Sequence, residues 1–220
     1  MESNKLKISE IFYSIQGEST RAGMPCVFIR LQGCNCRCSW CDTPYSQDIQ
    51  GESTEMSTDE IISKIESFNC WYLLFTGGEP LLQKRIIPVM EYFCNKNYIV
   101  SVETGGSIDC TGLDSRIIKI IDMKCPDSGM MSKNMYENLI YLSNHDEIKF
   151  VIASEKDYEY AKDLIIKYRI DEKVNVILFS PAYNVLKPKD LAEWILNDKL
   201  NVRIHLQLHK FIWKQGKKGI

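Results

Sequence analysis

The chain has 220 residues, which is the length of one domain or of one domain with an appendage. Its 27 lysines and arginines oppose 29 aspartates and glutamates, and the net charge of −2 argues against broad, charge-driven binding to nucleic acid or anionic membranes. No stretch approaches the ~18 uninterrupted apolar residues of a membrane span. The opening residues, MESNKLKISE, lack the apolar core of a secretion signal. We therefore expect a cytoplasmic protein that binds neither nucleic acid nor membranes.

Apolar runs typical of strands alternate along the chain with segments of helical pattern. Strands are predicted at residues 26–31, 71–75, 99–102, 117–121, 148–152, 174–179 and 202–208. Helices are predicted at residues 58–68, 83–94, 135–142, 156–168 and 189–196. This alternation predicts a parallel sheet with helical crossovers, in a chain too short for a complete eight-stranded barrel. We expect a single α/β domain folded as a partial, modified (βα) barrel with about six parallel strands.

Four of the nine cysteines lie within eight residues, at Cys34, Cys36, Cys38 and Cys41, directly after the first predicted strand. Packing does not explain that density. Structural zinc sites usually draw their ligands as two separated pairs, whereas Cys34, Cys38 and Cys41 suit a 4Fe–4S cluster with three thiolate ligands. The fourth iron of such a cluster is open to a small molecule, and Cys36 is expected to point away and to pack or stay free. A non-catalytic zinc-binding module is the alternative from another class.

A second motif, Thr76-Gly77-Gly78-Glu79-Pro80, directly follows the strand predicted at 71–75. Together with Cys-x3-Cys-x2-Cys and the aromatic residue before its last cysteine, it resembles the signature of the radical S-adenosylmethionine superfamily. In that superfamily the Gly-Gly-Glu-Pro turn meets the amino group of the cofactor's methionine. Glycines permit close backbone approach, and a carboxylate can accept an ammonium group. The resemblance implies a 4Fe–4S cluster and S-adenosylmethionine as cofactors.

Within the superfamily, the chain resembles the 7-carboxy-7-deazaguanine synthase family along most of its length. The resemblance rests on residues 10–19, 28–31, 41–43, 102–106, 122–126, 179–182 and 203–210. It implies a carbon–nitrogen lyase that converts 6-carboxy-5,6,7,8-tetrahydropterin to 7-carboxy-7-deazaguanine with release of ammonia, in queuosine biosynthesis. It also implies Mg2+, an electron donor such as a flavodoxin or ferredoxin, and a homodimer. The runner-up is an activating enzyme that installs a glycyl radical on a protein partner, since such enzymes share the cysteine motif.

The resemblance also implies roles for individual residues. Glu103 is the predicted catalytic residue, and Thr43 is the predicted magnesium ligand. Contacts with S-adenosylmethionine are predicted at Trp40, Gly77, Gly78, Glu79, Asp122, Lys124, Ser180 and Pro181. Contacts with the substrate are predicted at Ile15, Gln16, Gly17, Glu18, Arg30, Thr76 and His209. Residues 1–25 are predicted to form a substrate-binding segment, and residues 33–57 include the cluster loop.

Side-chain alternation supports one of these assignments and leaves others open. In the strand at 26–31, alternation moves Arg30 off the apolar face, and its planar guanidinium suits a substrate carboxylate. Arg30 could instead form an ion pair with Glu79, and Asp122 could pair with Lys124 on one strand face. The polar residues of the last predicted strand share one face, where His205 and His209 could simply face solvent. Gly105 stands where the family has an asparagine.

Overall fold

A nine-stranded sheet forms the frame of the protein in the computed structural model, which describes residues 5–213 and 219. Residues 1–4 of the predicted N-terminal segment lie outside that part of the chain. The strands are β1 (Leu6–Ile15), β2 (Pro25–Leu31), β3 (Thr54–Met56), β4 (Tyr72–Gly77), β5 (Ile99–Thr104), β6 (Ile118–Met123), β7 (Glu147–Ile152), β8 (Val176–Pro181) and β9 (Arg203–Ile204). Their order across the sheet is β3-β1-β2-β4-β5-β6-β7-β8-β9.

The sheet is an open, partial barrel. Strands β2 and β4 to β9 run parallel, while β1 pairs antiparallel with both β2 and β3. Strands β3 and β9 are its two edges, so it does not close on itself. Six of the parallel strands have six or seven residues, and β9 adds two more. The predicted single α/β domain with about six parallel strands is confirmed.

Five α-helices connect or follow the strands of the described chain. They are α1 (Thr58–Glu66), α2 (Ile87–Asn95), α3 (Glu155–Tyr168), α4 (Pro188–Asp198) and α5 (His209–Ile212). Helix α1 begins with a capping box, in which the Ser57 side chain accepts from the Glu60 amide while the Glu60 carboxylate accepts from the Ser57 amide. None of the helices in residues 5–213 is long and apolar enough to cross a membrane.

The prediction of a helix at 135–142 is wrong, because the structure has only a 3₁₀ turn there, at Tyr136–Leu139. Polar groups of this segment bind a neighbouring loop instead of extending a helix. The Met135 amide donates to the Gly106 carbonyl, and the buried Asn138 side chain bridges the Cys110 amide and the Ile108 carbonyl. Apolar periodicity did not reveal these long-range bonds.

The strand predicted at 202–208 is also too long, because sheet pairing extends only over Arg203–Ile204. The His205 amide still donates to the Phe179 carbonyl, but the chain then leaves the sheet and the Leu208 amide donates to the Gly17 carbonyl. That bond joins the C-terminal segment to the connection between β1 and β2. The hairpin of β1 and β2 had not been predicted, and residues 16–18 of its connection line the cavity on the inner face of the sheet.

The two faces of the sheet differ in composition. The helices cover the outer face and enclose the main core, in which Ile61, Phe93 and Ile148 are fully buried. The inner face carries a smaller apolar cluster that includes Phe12 and Phe28, whose rings stack with centroids 4.8 Å apart. Polar side chains follow this cluster towards the carboxyl ends of the parallel strands, where ligands bind in folds of this class.

Candidate active site

A cavity of about 520 Å³ opens at the carboxyl ends of the parallel strands. All but two of the residues assigned from the sequence line it. Its wall includes Ile15, Gln16, Gly17, Glu18, Arg30, Cys34, Cys38, Trp40, Cys41, Thr43, Thr76, Gly77, Gly78, Glu79, Glu103, Asp122, Lys124 and His209. The structure therefore brings together residues from nearly the whole length of the chain in one concave site.

Ser180 and Pro181 do not line this cavity. Both are buried at the end of β8, and the Ser180 hydroxyl donates to the His205 carbonyl at 3.1 Å. The serine side chain is thus engaged with the backbone that enters the C-terminal segment. Val151 and Tyr183 line the cavity near this end of the sheet instead.

The cysteine motif lies on the loop that follows β2, and all nine cysteines of the chain are free thiols. The loop is held by its own backbone: the Cys34 amide donates to the Gln47 carbonyl, and the Cys41 amide donates to the Cys38 carbonyl. The motif's three thiols are half-buried and line the cavity. Three soft sulfur donors beside an open cavity fit a 4Fe–4S cluster that keeps one iron available for a ligand.

Cys36 is more buried than the three cysteines of the motif, with 3% of its surface exposed. Its backbone amide donates to the Cys34 sulfur at 3.4 Å, so it lies next to the motif rather than remote from it. It also lines the cavity.

The Gly77–Gly78 turn fits closely against the cluster loop. Gly77 has φ of +132°, and a Cβ atom there would lie 2.3 Å from the Leu31 carbonyl oxygen. A Cβ atom on Gly78 would lie 2.2 Å from the Gly33 carbonyl oxygen, so only glycine permits this approach. The Glu79 amide then donates to Gly33 at 2.8 Å, which fixes the turn to the start of the cluster loop.

Glu79 is a buried carboxylate that joins the ends of β4 and β5. The Thr104 hydroxyl lies 2.9 Å from each of its oxygens, and the Gly105 amide donates to Oε2 at 2.8 Å. Burial raises the pKa of Glu79, although these hydrogen bonds oppose the shift. Glu79 thus does not form the alternative ion pair with Arg30. A Cβ atom on Gly105 would lie 3.3 Å from Cε of Lys124, so glycine leaves room for the lysine beside Glu79.

Arg30 lies on the inner face as alternation predicted, and its side chain is 15% exposed. Its Nε donates to Oε1 of Glu10 at 2.7 Å, and the same oxygen accepts the Tyr45 hydroxyl at 2.7 Å. The Phe12 ring lies beside the guanidinium, whose carbon is 6.0 Å from the ring centroid. The ion pair with Glu10 holds Arg30 at the cavity wall. The guanidinium there lies close to an aromatic surface on which a flat ring could stack.

An ion network crosses the cavity wall and is centred on Lys149 of β7. Lys149 Nζ lies 2.6 Å from Glu18 Oε2, 2.5 Å from Glu103 Oε1 and 3.4 Å from Asp122 Oδ2. Asp122 also pairs with Lys124 at 3.2 Å, which is the alternative that the sequence left open. Lys149 was not among the residues predicted from the sequence. The signal for it was a lysine inside an otherwise apolar strand, which in a parallel sheet has to be buried with partners.

Burial and neighbouring charges shift the pKa values of Glu103, Glu18 and Lys149. Burial raises the pKa of Glu103, and the neighbouring carboxylates add to the shift while Lys149 opposes it. Burial alone would raise the pKa of Glu18, but Lys149 and two nearby histidines hold it below its usual range. For Lys149 burial acts to lower the pKa, yet the three carboxylates raise it well above its usual value. Lys149 is therefore an ammonium at neutral pH.

The C-terminal segment adds Gln207, His209 and Lys210 to the wall, and His209 among them had been assigned as a substrate contact. Gln207 Nε2 donates to Glu18 Oε1 at 2.7 Å. Glu18, Asp42 and His209 offer ligand atoms within 4.8 Å of one another, but Lys149 and Lys210 already pair with the two carboxylates. A Cβ atom on Gly17 would lie 2.2 Å from Nδ1 of His209, so this glycine admits the histidine to the wall.

His205 does not face solvent, because it is only 5% exposed. Neither of its ring nitrogens has a hydrogen-bond partner among the described residues. Burial lowers its pKa, which favours the neutral imidazole. The structure thus places His205 behind the cavity wall, while His209 forms part of it.

As a whole, the cavity has two chemically distinct sides. One side carries thiols and a glycine turn with a buried carboxylate, which suits a metal cluster and an amino-acid ligand. The other carries a guanidinium, an aromatic surface and paired carboxylates, which suits a compact, flat ligand with a carboxylate and several N–H donors.

Known proteins resemble the chain in sequence and in fold. Residues 28–127 match the sequence profile of the Radical SAM superfamily. A 7-carboxy-7-deazaguanine synthase of Koribacter versatilis is 42% identical over 98% of this chain and 100% of its own length. One of Chlorobaculum tepidum is 44% identical over 98% of this chain and 97% of its own. The crystal structure of QueE from Escherichia coli matches with a TM-score of 0.77 at 21% identity, covering 93% of this chain and 95% of that one, and supports the fold.

Proposed function

The chain belongs to the 7-carboxy-7-deazaguanine synthase family of the radical S-adenosylmethionine superfamily, and we propose that its substrate is 6-carboxy-5,6,7,8-tetrahydropterin. The reaction forms 7-carboxy-7-deazaguanine with release of ammonia, as a carbon–nitrogen lyase of queuosine biosynthesis. Identity over nearly the whole chain carries this conclusion. It favours this function over a glycyl-radical activating enzyme and over a zinc-binding module.

The cofactors are a 4Fe–4S cluster and S-adenosylmethionine. Cys34, Cys38 and Cys41 would hold the cluster, and the turn at Gly77 to Glu79 would receive the methionine end of the second cofactor. When bound, the pair supplies a reactive carbon radical that removes a hydrogen atom from the substrate. The protein has to orient one C–H bond of the substrate and exclude water from the site.

The substrate would occupy the side of the cavity away from the cysteines. The Arg30 guanidinium has its Nε engaged by Glu10, which leaves its terminal nitrogens to bind the substrate carboxylate. Glu18 and Glu103 are carboxylates that can accept N–H groups of the pterin ring. The stacked Phe12 and Phe28 form an apolar surface near Arg30 that supports a flat ring.

Magnesium would bind at Thr43, whose hydroxyl is an oxygen ligand of the kind that this ion prefers. Thr43 lines the cavity next to the last cysteine of the motif, with its Oγ1 3.9 Å from the Cys41 sulfur. The loop holds this position through the Thr43 carbonyl, which accepts from the Ser46 amide and hydroxyl. The threonine side chain is thereby available for the ion and the substrate.

Three further features belong to the proposal and come from the family resemblance. A flavodoxin or ferredoxin would deliver the electron, two chains would form a homodimer, and the enzyme would act in the cytoplasm. Size-exclusion chromatography with light scattering tests the dimer. Turnover with purified flavodoxin or ferredoxin in place of a chemical reductant tests the donor.

The decisive experiment is anaerobic incubation of the reconstituted enzyme with S-adenosylmethionine, reductant and the carboxypterin, followed by mass analysis. We expect 7-carboxy-7-deazaguanine and ammonia in equal amounts. A reaction without the pterin controls for uncoupled cleavage of the cofactor. Cofactor cleavage without a new pterin-derived product would contradict the proposed substrate.

A further inference from the structure

Lys149 makes more ionic contacts than a simple structural pair would need. Its Nζ lies within 3.4 Å of three carboxylates, from Glu18, Glu103 and Asp122, and the lysine side chain is 5% exposed. The partners come from three different parts of the chain: the connection after β1, strand β5 and strand β6. Lys149 thus links elements that approach one another only in the folded protein.

The position of Lys149 in the sheet explains how it reaches these partners. It pairs in register with Asp122 across β6 and β7. Glu103 reaches it from β5, one strand further along, while Glu18 reaches it from the connection between β1 and β2. Lys149 itself lines the cavity together with all three acids. The contacts are therefore made at the wall that a substrate would touch.

The charges at this wall do not cancel. The contacts join three carboxylates to two ammonium groups, Lys149 and Lys124, which leaves one negative charge in excess. A buried carboxylate without a nearby cation tends to take up a proton. Burial already raises the pKa of Glu103, and Lys149 is the nearest cation opposing that shift. Without the ammonium, burial and the neighbouring carboxylates would raise the pKa of Glu103 further.

Lys149 is not suited to act as a general base. The carboxylates raise its pKa well above the usual value, so it keeps its proton at neutral pH. Its effect on a bound molecule has to pass through the carboxylates that it contacts. Glu18 is held at both oxygens, by Lys149 at Oε2 and by Gln207 at Oε1, so its direction is fixed.

We propose that Lys149 is a positioning residue that keeps Glu18 and Glu103 ionised and aimed into the cavity, so that both accept N–H groups of the substrate ring. This inference rests on the proposed pterin substrate. One buried lysine would thus orient two hydrogen-bond acceptors, Glu18 and Glu103, that come from distant parts of the chain. A carboxylate is a stronger hydrogen-bond acceptor than a protonated carboxyl group. Loss of the ammonium should therefore weaken substrate binding more than cofactor binding.

The test compares Lys149→Met with Lys119→Met in the reconstituted holoenzyme. Lys119 is the matched control, because it is also buried, lies on the adjacent strand β6, and pairs with buried Asp146 at 2.9 Å, yet does not line the cavity. Lys149→Gln is a milder change that retains a donor without the charge. Lys149→Arg retains the charge. Affinity for the carboxypterin, affinity for S-adenosylmethionine and iron content are measured for each.

We expect Lys149→Met and Lys149→Gln to bind the carboxypterin about ten- to a hundredfold more weakly, the effect of losing a charge-assisted contact. Iron content should change little, and S-adenosylmethionine affinity should fall much less than carboxypterin affinity, because Asp122 keeps its pair with Lys124. Lys149→Arg should recover part of the loss. Binding to both uncharged variants should strengthen as pH rises through the neutral range, because Glu103 then loses its proton beside Glu18 and Asp122. Parent binding should change less with pH than binding to these variants, because Lys149 opposes the rise in the pKa of Glu103.

Each outcome discriminates between the proposals. If the parent binds the carboxypterin and Lys149→Met binds it equally well, the inference is overturned and the proposed function stands. If the parent itself does not bind it, the proposed function fails and this inference fails with it. Equal losses in Lys149→Met and Lys119→Met, or failure of Lys149→Gln to fold, would indicate a structural role alone and overturn the inference.

Discussion

Arg30 and Glu10 face each other directly across β1 and β2, and the guanidinium Nε donates to the carboxylate at 2.7 Å. The pair joins the two strands of the antiparallel hairpin at the cavity wall. Both side chains are largely buried, at 15% and 12% exposed. Their contact uses Nε on one edge of the guanidinium and leaves the other edge for a carboxylate ligand. A lysine has a single ammonium group and cannot offer two such edges.

Replacement of Arg30 by lysine should weaken carboxypterin binding about tenfold or more, because a two-pronged, charge-assisted contact becomes a point charge. Iron content and S-adenosylmethionine affinity should stay near those of the parent. Titration of the anaerobic enzyme with the carboxypterin measures the effect. The matched control is Arg116→Lys, since Arg116 binds Asp114 through Nε and Nη2 on the exposed surface. Unchanged affinity in Arg30→Lys would remove Arg30 from the substrate site.

Replacement of Thr43 by alanine should lower magnesium affinity by at least about tenfold, because the ion loses an oxygen ligand. The loop should persist, since its bonds to Ser46 use the Thr43 carbonyl rather than its side chain. The measurement is turnover as a function of magnesium concentration, with iron content recorded in parallel. We expect cofactor cleavage to be largely retained while turnover falls.

Ser39→Ala is the control for Thr43→Ala. It removes a hydroxyl from the same loop, but that hydroxyl lies near the carbonyl oxygens of Asp127 and Ser128, outside the cavity. Its magnesium response should match that of the parent. If Thr43→Ala also responds to magnesium as the parent does, Thr43 is not a ligand.

The elements that sequence patterns predicted well are those whose signal is local. Helix α1 carries its capping residues and apolar face within a dozen positions, and the glycine turn directly follows an apolar strand. The cysteine motif is likewise contiguous. Because parallel strands end at one edge of the sheet, residues placed after different strands could be predicted to meet there. Most of the assigned residues line the cavity for that reason.

The elements that were missed depend on partners far away in the chain. Lys149 contacts Glu18 and Glu103, which are 131 and 46 residues distant, so no window around Lys149 reveals its role. The last strand is shortened because Leu208 bonds to Gly17 rather than to the sheet. His205 shares the polar alternation of His209, yet the chain turns between them and only one of them reaches the cavity.

The cysteines should divide into three ligands and one free thiol. Serine at position 34, 38 or 41 should remove most of the iron, because an alcohol is a far poorer iron ligand than a thiolate. Cys36→Ser should retain the iron and the activity, since a cluster with one open iron uses three protein ligands. Iron and sulfide analysis of the four variants, reconstituted in parallel, makes the comparison.

Cys70→Ser controls for the general effect of the substitution, because Cys70 is a half-buried free thiol that does not line the cavity. Cys36 requires the comparison because its amide contacts the Cys34 sulfur and its side chain is buried at the same wall. Loss of iron from Cys36→Ser, or equal loss from all four variants, would replace the three-ligand site with a four-thiolate site.

Gly78 should tolerate no side chain, and alanine there should disturb the cluster loop as well as the turn. An added Cβ atom would lie 2.2 Å from the Gly33 carbonyl oxygen and 2.7 Å from that of Ser46, and neither backbone group can swing aside as a flexible side chain could. Overpacking of this kind typically costs about 1–3 kcal/mol of unfolding free energy.

Gly112→Ala is the control, because an added Cβ there meets no atom within 4 Å, and its effect should stay within about 0.5 kcal/mol. Denaturant unfolding of the two apoproteins gives the stability difference, and iron content after reconstitution reports on the loop. We expect Gly78→Ala to be less stable and to retain less iron than Gly112→Ala. Equal stability and equal iron in the two variants would mean that the turn and the cluster loop do not pack as tightly as described.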